Sequence, residues 1–282
     1  EVGRRWIQAP AEAITAKGGA EVLHWGARAQ AGSAGDRFFF EDMARRGALH
    51  SFSPSSAKDI APDLKHPDGA YGVVAVGAMG IGLSSEVLPL AQAPKKLADL
   101  ADPRWNGKLS ISNPLASAEG FSSLVLLHSQ FGWDYFAKLR RGKTLVEGGS
   151  LAVARRIQGR ERPLGVAPLD LLLPLSKESP EIKILIPEDG LIPLPISIAI
   201  LRHSLSASGP EKVVEWMFGR RAQFGFVKRY LYSPLPSVPA PNLAPPFAKL
   251  LESPFKWTPA ILETPLDQRI ALKEKFAEIM FE

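Results

Sequence analysis

The chain has 282 residues, of which 45% are hydrophobic and 22% charged, and this suits one large or two medium globular domains. It has no cysteine, so disulfides, thiolate metal ligands and cysteine nucleophiles are excluded. The formal net charge is +5, but the basic clusters at 155–162 and 219–229 lack the interleaved aromatic residues of a nucleic-acid surface. We expect solvated helix surface there and no nucleic-acid partner.

No apolar run approaches the roughly 18 residues of a membrane-spanning helix. The chain starts at Glu1 rather than methionine, so we expect a processed or partial chain.

Apolar runs that read as strands alternate with helical patterns along most of the chain, which favours an α/β protein. In the first half we predict a helix at 9–17, a strand at 21–25, a helix at 36–46 and buried strands at 71–83. Asp36 is the expected N-cap of the second helix and Gly47 its stop. Farther along the chain we predict a strand at 109–112 leading into a helix, a strand and turn at 144–149, a helix at 150–158 and a strand and loop at 163–175. These are followed by strands at 182–187 and 196–201, a helix pair or a bent helix at 210–229, a proline-rich irregular segment at 233–265 and an amphipathic helix at 265–281.

The junction NPLASAEGFSS, residues 113–123, is rich in small and hydroxyl-bearing residues. A helix N-terminus has unpaired N–H groups and a partial positive charge, so it suits an anion. Ser117 could donate to a ligand, and Gly120 lets backbone approach closely. The alternative is that Ser117 is an ordinary N-cap with Glu119 in the first turn. Glu119 counts against an anion, because its carboxylate already occupies the positive end.

Two further junctions have the same character. Gly149 and Ser150 precede the helix at 150–158, with Ser150 as the expected cap, and suit either an anion contact or a turn. Trp25 offers a face for stacking a sugar ring, and Arg28 a guanidinium that could hold an oxyanion. The alternative for this pair is a core tryptophan and a solvated arginine.

Several segments, taken in order, resemble the substrate-binding proteins of bacterial ABC importers, in the branch of the ferric-ion and sugar-phosphate binders. They are EVLHWGA with FFFEDMARRGALHSF, KHPDGAYGVVAVGAMGIGLSS, PKKLADLADPRWNGKLSISNP, LVEGGSLAVARRIQGRERPLGVAPLD and IPEDGLIPLPISIAILRHS. The resemblance covers roughly residues 20 to 235, and DPRWNG is its most specific part. Family members usually begin with a strand, a helix and a second strand that this chain lacks before EVLHW.

The resemblance implies a periplasmic-binding-protein-like (type II) α/β fold, with two lobes, a cleft between them and a discontinuous topology. Residues 1–84 and 198–282 would form the first lobe, including the last helix, and residues 85–197 the second. It implies a non-catalytic protein without a cofactor or metal, in the periplasm or otherwise extracytoplasmic. Its partners would be a small-molecule solute and a membrane permease or sensor. The alternative is a repurposed subunit of a larger, possibly organellar, assembly.

The resemblance also places Asp170 near the ligand. A carboxylate among leucines is costly unless it is paired. Iron binders of the family carry neighbouring tyrosines there, where this chain has Leu169 and Asp170, so we expect an organic phosphate, sugar phosphate or carboxylate instead. Asp170 or Glu188 would accept a hydrogen bond from a ligand hydroxyl. No catalytic motif is present, and the five histidines are scattered.

Overall fold

The computed structural model describes residues 22–24, 37–202 and 209–282. The helix expected at 9–17 and the expected cap Asp36 lie outside these residues. Strands and helices alternate as predicted, which confirms the α/β class. Among the described residues, no helix is both long and apolar enough to cross a membrane.

The described strands, in chain order, are β1 (Val22–His24), β2 (Leu49–His50), β3 (Tyr71–Ser84), β4 (Leu109–Ile111), β5 (Leu145–Val146), β6 (Leu164–Pro168), β7 (Ile182–Leu185) and β8 (Ile192–Leu201). Their hydrogen-bonded order is β1-β8-β3-β6-β4-β5, with β2 also beside β8 and β7 also beside β3. The glycine-broken segment is therefore one 14-residue strand rather than several.

The described α-helices are α1 (Arg37–Arg45), α2 (Ala118–Arg141), α3 (Ser150–Gln158), α4 (Leu169–Glu178), α5 (Gly209–Phe218), α6 (Arg220–Val227), α7 (Phe247–Leu251), α8 (Pro259–Leu262) and α9 (Leu266–Phe281). Short 3-10 turns lie at Ser55–Ala57, Pro62–Leu64, Leu90–Gln92, Ala98–Ala101 and Pro103–Trp105. The predicted stop of α1 is confirmed, because Gly47 adopts a φ of 63°, which glycine reaches without strain.

The chain divides into two compact units, Glu1–Gly77 with Pro195–Ala244, and Ala78–Leu194 with Pro245–Glu282. In the first unit, β8 pairs antiparallel with β1 and β2. Buried Gln223 on α6 donates to Val74 O at 2.9 Å and to Met217 O at 2.8 Å, and it accepts from Ser233 Oγ at 2.6 Å. This amide therefore ties α6 to β3 and to the segment that follows the helix pair.

In the second unit, the C-terminal half of β3 pairs antiparallel with β6 and β7, and β4 lies parallel to both β6 and β5. The core between α3, α4 and this sheet contains Val153, Ile157 and Leu172. Gly165 on β6 makes that packing possible. A Cβ there would lie 2.6 Å from Val153 Cγ1 and 3.0 Å from Ile157 Cδ1, so any larger residue would push α3 away from the sheet.

The prediction that the last helix belongs to the first lobe is wrong. Phe276 on α9 is fully buried, and its ring centroid lies 5.6 Å from that of Phe136 on α2, inside the second unit. The buried face of α9 carries Arg269, Phe276 and Met280, whereas Ile270 is 48% exposed. Periodicity identified a helix with an apolar side, but it could not tell which aromatic surface that side would complement.

Candidate functional site

Three helices begin at one edge of the second unit's sheet. Strands β4, β5 and β6 run parallel, and each is followed within a few residues by a helix, respectively α2, α3 and α4. The carboxyl ends of parallel strands meet at the same edge, and ligands of open α/β sheets bind there. Each helix also directs the positive end of its dipole to that edge.

Ser117 caps the first of these helices. Its backbone is extended, with φ −144° and ψ 143°, and its Oγ accepts from the N–H of Gly120 at 3.0 Å. The same hydroxyl donates to Asn113 O at 3.2 Å. A Cβ on Gly120 would lie 2.7 Å from Ser117 Oγ and 2.8 Å from Asn113 O. The capping interpretation of this junction is therefore confirmed, and the tight cap alone explains the glycine.

At the second junction, the prediction that Ser150 caps α3 is wrong. Gly149 is the N-cap, and Ser150 is the first residue of the helix. The Ser150 side chain is buried and its Oγ lies 3.0 Å from Ser112 Oγ on the loop after β4. Inward-facing Ser150 has a hydroxyl partner nearby, so its side chain is used in packing rather than in capping. Ser112 was not singled out from the sequence, because a serine after a strand carries no distinctive signal.

The first two junctions are neighbours in the structure. The N–H of Asn113 donates to Gly148 O at 2.8 Å, which joins the loop after β4 to the loop after β5. A Cβ on Gly149 would lie 3.7 Å from Ser117 Cβ. The structure therefore brings Ser117, Gly120, Gly149 and Ser150 together, as residues of two adjacent helix N-termini.

In the structure, the third junction at this edge is the passage from β6 into α4, which contains Asp170. The loop predicted there is a helix. Asp170 is the second residue of α4, which begins immediately after β6 and continues through Pro174. Leu169, Leu172 and Leu173 are buried at helical spacing, so burial of this apolar face outweighs the cost of an internal proline. In the first turn, a carboxylate also interacts favourably with the helix dipole.

Glu119 and Asp170 interact electrostatically across the first and third junctions. The pKa of Glu119 is raised from 4.5 to about 7, chiefly by burial; a hydrogen bond to the Glu119 backbone opposes this shift, and the negative charge of Asp170 adds to it. The Glu119 side chain keeps partial solvent exposure. The edge therefore has three positive helix ends and two carboxyl groups, one of which titrates near neutral pH.

Of the remaining predicted site residues, the structure describes only Glu188, and it is not brought to this edge. Glu188 is exposed on the loop between β7 and β8, where its N–H donates to Lys95 O at 2.8 Å. Within the described residues, no hydrogen bond or ion pair joins it to the three junctions. Trp25 and Arg28 lie outside the described residues. No group of three histidine, aspartate or glutamate side chains in the described part of the chain could hold a metal ion.

Comparison with known proteins agrees with this architecture. The sequence profile of the family "Bacterial extracellular solute-binding protein" matches residues 28–260. An uncharacterized protein of Haemophilus influenzae is 20% identical over 198 residues, which are 65% of this chain and 57% of that protein. The chain therefore spans little more than half the length of this relative.

Solved structures show the same fold. Iron-bound HitA from Pseudomonas aeruginosa superposes with a TM-score of 0.74 at 17% identity, over 90% of this chain and 82% of HitA. The periplasmic binding protein AfuA from Actinobacillus pleuropneumoniae, with fructose-6-phosphate bound, gives 0.72 at 18% identity, over 87% of this chain and 81% of AfuA. These likenesses confirm the periplasmic-binding-protein fold class. With most of its length matched by the family profile, the chain belongs to the bacterial extracellular solute-binding proteins.

Proposed function

We propose that this protein captures a small anionic or polar solute for an ABC-type importer outside the cytoplasm. The solute would be an organic phosphate, a sugar phosphate or a carboxylate, delivered to a membrane permease or sensed by a receptor. No catalytic step is proposed. Family membership supports the general role, and the organellar alternative receives no support from the comparisons.

The observation that carries this proposal is the convergence of the N-termini of α2, α3 and α4 at the carboxyl ends of β4, β5 and β6. Unpaired N–H groups in the first turn of each helix are donors for phosphate or carboxylate oxygens. The adjacency of Ser117 and Gly149 supports a contact that uses two helices at once. Because Ser117 Oγ already donates to Asn113 O, a ligand would compete for that proton.

Asp170 and Glu119 suit the hydroxyl groups of the same solute. A carboxylate accepts hydrogen bonds from hydroxyls, and a protonated Glu119 donates one to an anionic oxygen. A sugar phosphate carries both kinds of group, which matches an edge with helix N-termini and carboxyl groups together. Ferric iron held by neighbouring tyrosines fits less well, because Tyr135 is the single tyrosine in the second unit's sequence, and its hydroxyl donates to Leu97 O at 2.8 Å.

A second candidate is a subunit of a larger assembly that has lost its ligand. One observation favours it: the Glu119 carboxyl already occupies the N-terminal turn of α2, where an anion would bind. In that case the carboxyl would remain in the site under all conditions, and no solute would displace its contacts.

A thermal-shift screen separates the two candidates. The library would contain sugar phosphates, other organic phosphates, carboxylates, polyols and ferric citrate. A true ligand at 100 times its Kd stabilises the protein by about 2.7 kcal/mol, which is a shift of several degrees. The capture function predicts such a shift with at least one phosphate or carboxylate. A library without any stabilising solute would contradict it and favour the assembly subunit.

The hit is then assigned to its site with matched serine variants. Ser117→Ala should weaken the hit, whereas Ser129→Ala should not, because Ser129 lies farther along α2 and its Oγ donates to Leu126 O. Equal effects of the two substitutions would show that α2 is merely destabilised.

A further inference from the structure

The first unit contains a cavity of about 460 Å³ that shares no residue with the three helix junctions. The segment from His50 to Gly72 forms one side, and β8 and α5 form the other. This volume lies within the usual range of small-molecule sites, about 300–1,000 Å³. It holds roughly 15 groups the size of a water molecule, at about 30 Å³ each.

The floor of the cavity is apolar. Ile60, Leu64, Ile198, Val214 and Phe218 line it, and each is at most 6% exposed. A floor of this kind gives water few hydrogen-bond partners, so an apolar group entering the cavity replaces poorly bound water. The floor therefore favours the aliphatic or aromatic body of a ligand.

The mouth of the cavity is positive. Lys58 and Lys65 belong to its lining together with His50 and His66, and no aspartate or glutamate among the described residues does; the His50 Nε2 atom is paired with Glu211 Oε1 at 3.0 Å, so the two lysines supply the positive charge. Lys58 is exposed, and Lys65 Nζ donates to Lys58 O at a long 3.4 Å. The Nδ1 atom of His66 accepts from the N–H of Asp68 at 3.2 Å, so its Nε2 carries the proton and can donate. The lining therefore matches an anionic group on the ligand.

The wall between floor and mouth is held in place before any ligand binds. Glu215 on α5 accepts from the N–H groups of Ser55 and Ser56 at 2.8 and 2.9 Å, and from their hydroxyls at 2.7 and 2.6 Å. The N–H of Phe52 donates to Gly69 O at 3.0 Å, at a turn where Gly69 has a φ of 70°. A preformed wall lowers the ordering cost of binding.

We propose that this cavity is a second ligand site, for an amphipathic carboxylate with a chain of about eight to ten carbons. The chain would lie against the floor at Val214 and Phe218, and the carboxylate would meet Lys58 and Lys65 at the mouth. The site is separate from the proposed solute site in the second unit, so each can fail without the other.

The test is titration calorimetry with octanoate, 1-octanol and octylammonium as probes. Octanoate should bind one molecule per chain, at least tenfold more tightly than octylammonium. Lys65→Gln should weaken octanoate about tenfold, the loss expected for one charge-assisted contact. Val214→Phe, which fills the floor, should abolish binding. Lys138→Gln, at an exposed lysine of the second unit, is the matched control and should change nothing.

Three results would overturn the proposal: no saturable octanoate binding, equal affinity for the three probes, or equal weakening by Lys65→Gln and Lys138→Gln. If Val214→Phe fails to fold by circular dichroism, the Lys65→Gln comparison still decides the outcome. Octanoate binding should survive Ser117→Ala unchanged, because Ser117 belongs to the second unit.

Discussion

Replacing Glu119 by glutamine should stabilise the second unit relative to the unchanged chain at high pH. This gain should be larger at pH 8 than at pH 5. Burial raises the pKa of Glu119 from 4.5 to about 7, so the folded chain holds this proton more tightly than the unfolded chain. Stability is therefore lost as the pH rises from 4.5 through 7. At 1.36 kcal/mol for each pH unit, this displacement corresponds to at most about 3 kcal/mol. Partial exposure of the side chain reduces the expected effect to about 1–2 kcal/mol.

The measurement is urea unfolding at pH 5 and pH 8 for the unchanged chain, Glu119→Gln and the control Glu188→Gln. The first substitution should remove most of the pH dependence between these two values, while exposed Glu188 should matter by less than about 0.5 kcal/mol. Asp170→Asn should reduce the same pH dependence, because the Asp170 charge is the second cause of the raised pKa. An equal gain at both pH values for Glu119→Gln would refute the reasoning.

Three further predictions concern residues whose surroundings are well defined. Ser117→Ala should destabilise the second unit by about 1 kcal/mol in urea unfolding, since it removes the cap of α2; an unchanged midpoint would contradict this. Phe276→Ala should cost about 3–5 kcal/mol by the same measurement, whereas Ile270→Ala, on the exposed side of α9, should cost less than about 0.5 kcal/mol. Similar losses for both would mean that α9 does not pack through Phe276. Gly165→Ala should cost about 1–3 kcal/mol through overpacking, whereas Gly225→Ala, with open space at its Cβ, should gain about 0.5–1 kcal/mol. A gain at Gly165 would refute the close approach of α3 to β6.

Local patterns predicted the elements well where one residue type decides the structure. The small and hydroxyl-bearing residues of 113–123 predicted a strand-to-helix junction, and Ser117 caps α2 there. Gly47 predicted the end of α1. Of the two alternatives for 210–229, a helix pair or a bent helix, the structure has the pair, α5 and α6, which separate at Gly219. Capping and positive φ are properties of one or two residues, so the sequence contains the information they need.

Predictions failed where the local structure depends on packing partners far along the chain. Asp170 was expected in a loop that follows a strand and lies in α4, because Leu172 and its neighbours bury a helical face against α3. Ser150 was expected as a cap but faces Ser112, 38 residues earlier. Phe276 was assigned to the first lobe but packs on Phe136 in the second unit. Each of these depends on a complementary surface that a single stretch of sequence does not contain.

The proximity of the site residues also depends on long-range structure rather than on local patterns. The sequence singled out Ser117 and Gly149 at two separate junctions and Asp170 after a strand, but their convergence follows from the parallel order β6-β4-β5, which no local pattern encodes. Glu188 was grouped with Asp170 as a hydroxyl acceptor, and the structure places it on an exposed loop instead. Whether the converged junctions hold a solute remains our proposal.

Isothermal titration of the best solute from the thermal-shift screen against Asp170→Ala tests the central claim most directly. We expect one bound solute per chain for the unchanged protein. For Asp170→Ala we expect a loss of about 1.5–3 kcal/mol, roughly 10- to 100-fold in Kd, because the carboxylate accepts a hydrogen bond from the solute. An affinity that Asp170→Ala leaves unchanged, with the solute still bound in a 1:1 ratio, would contradict the placement of the site at the N-termini of α2, α3 and α4.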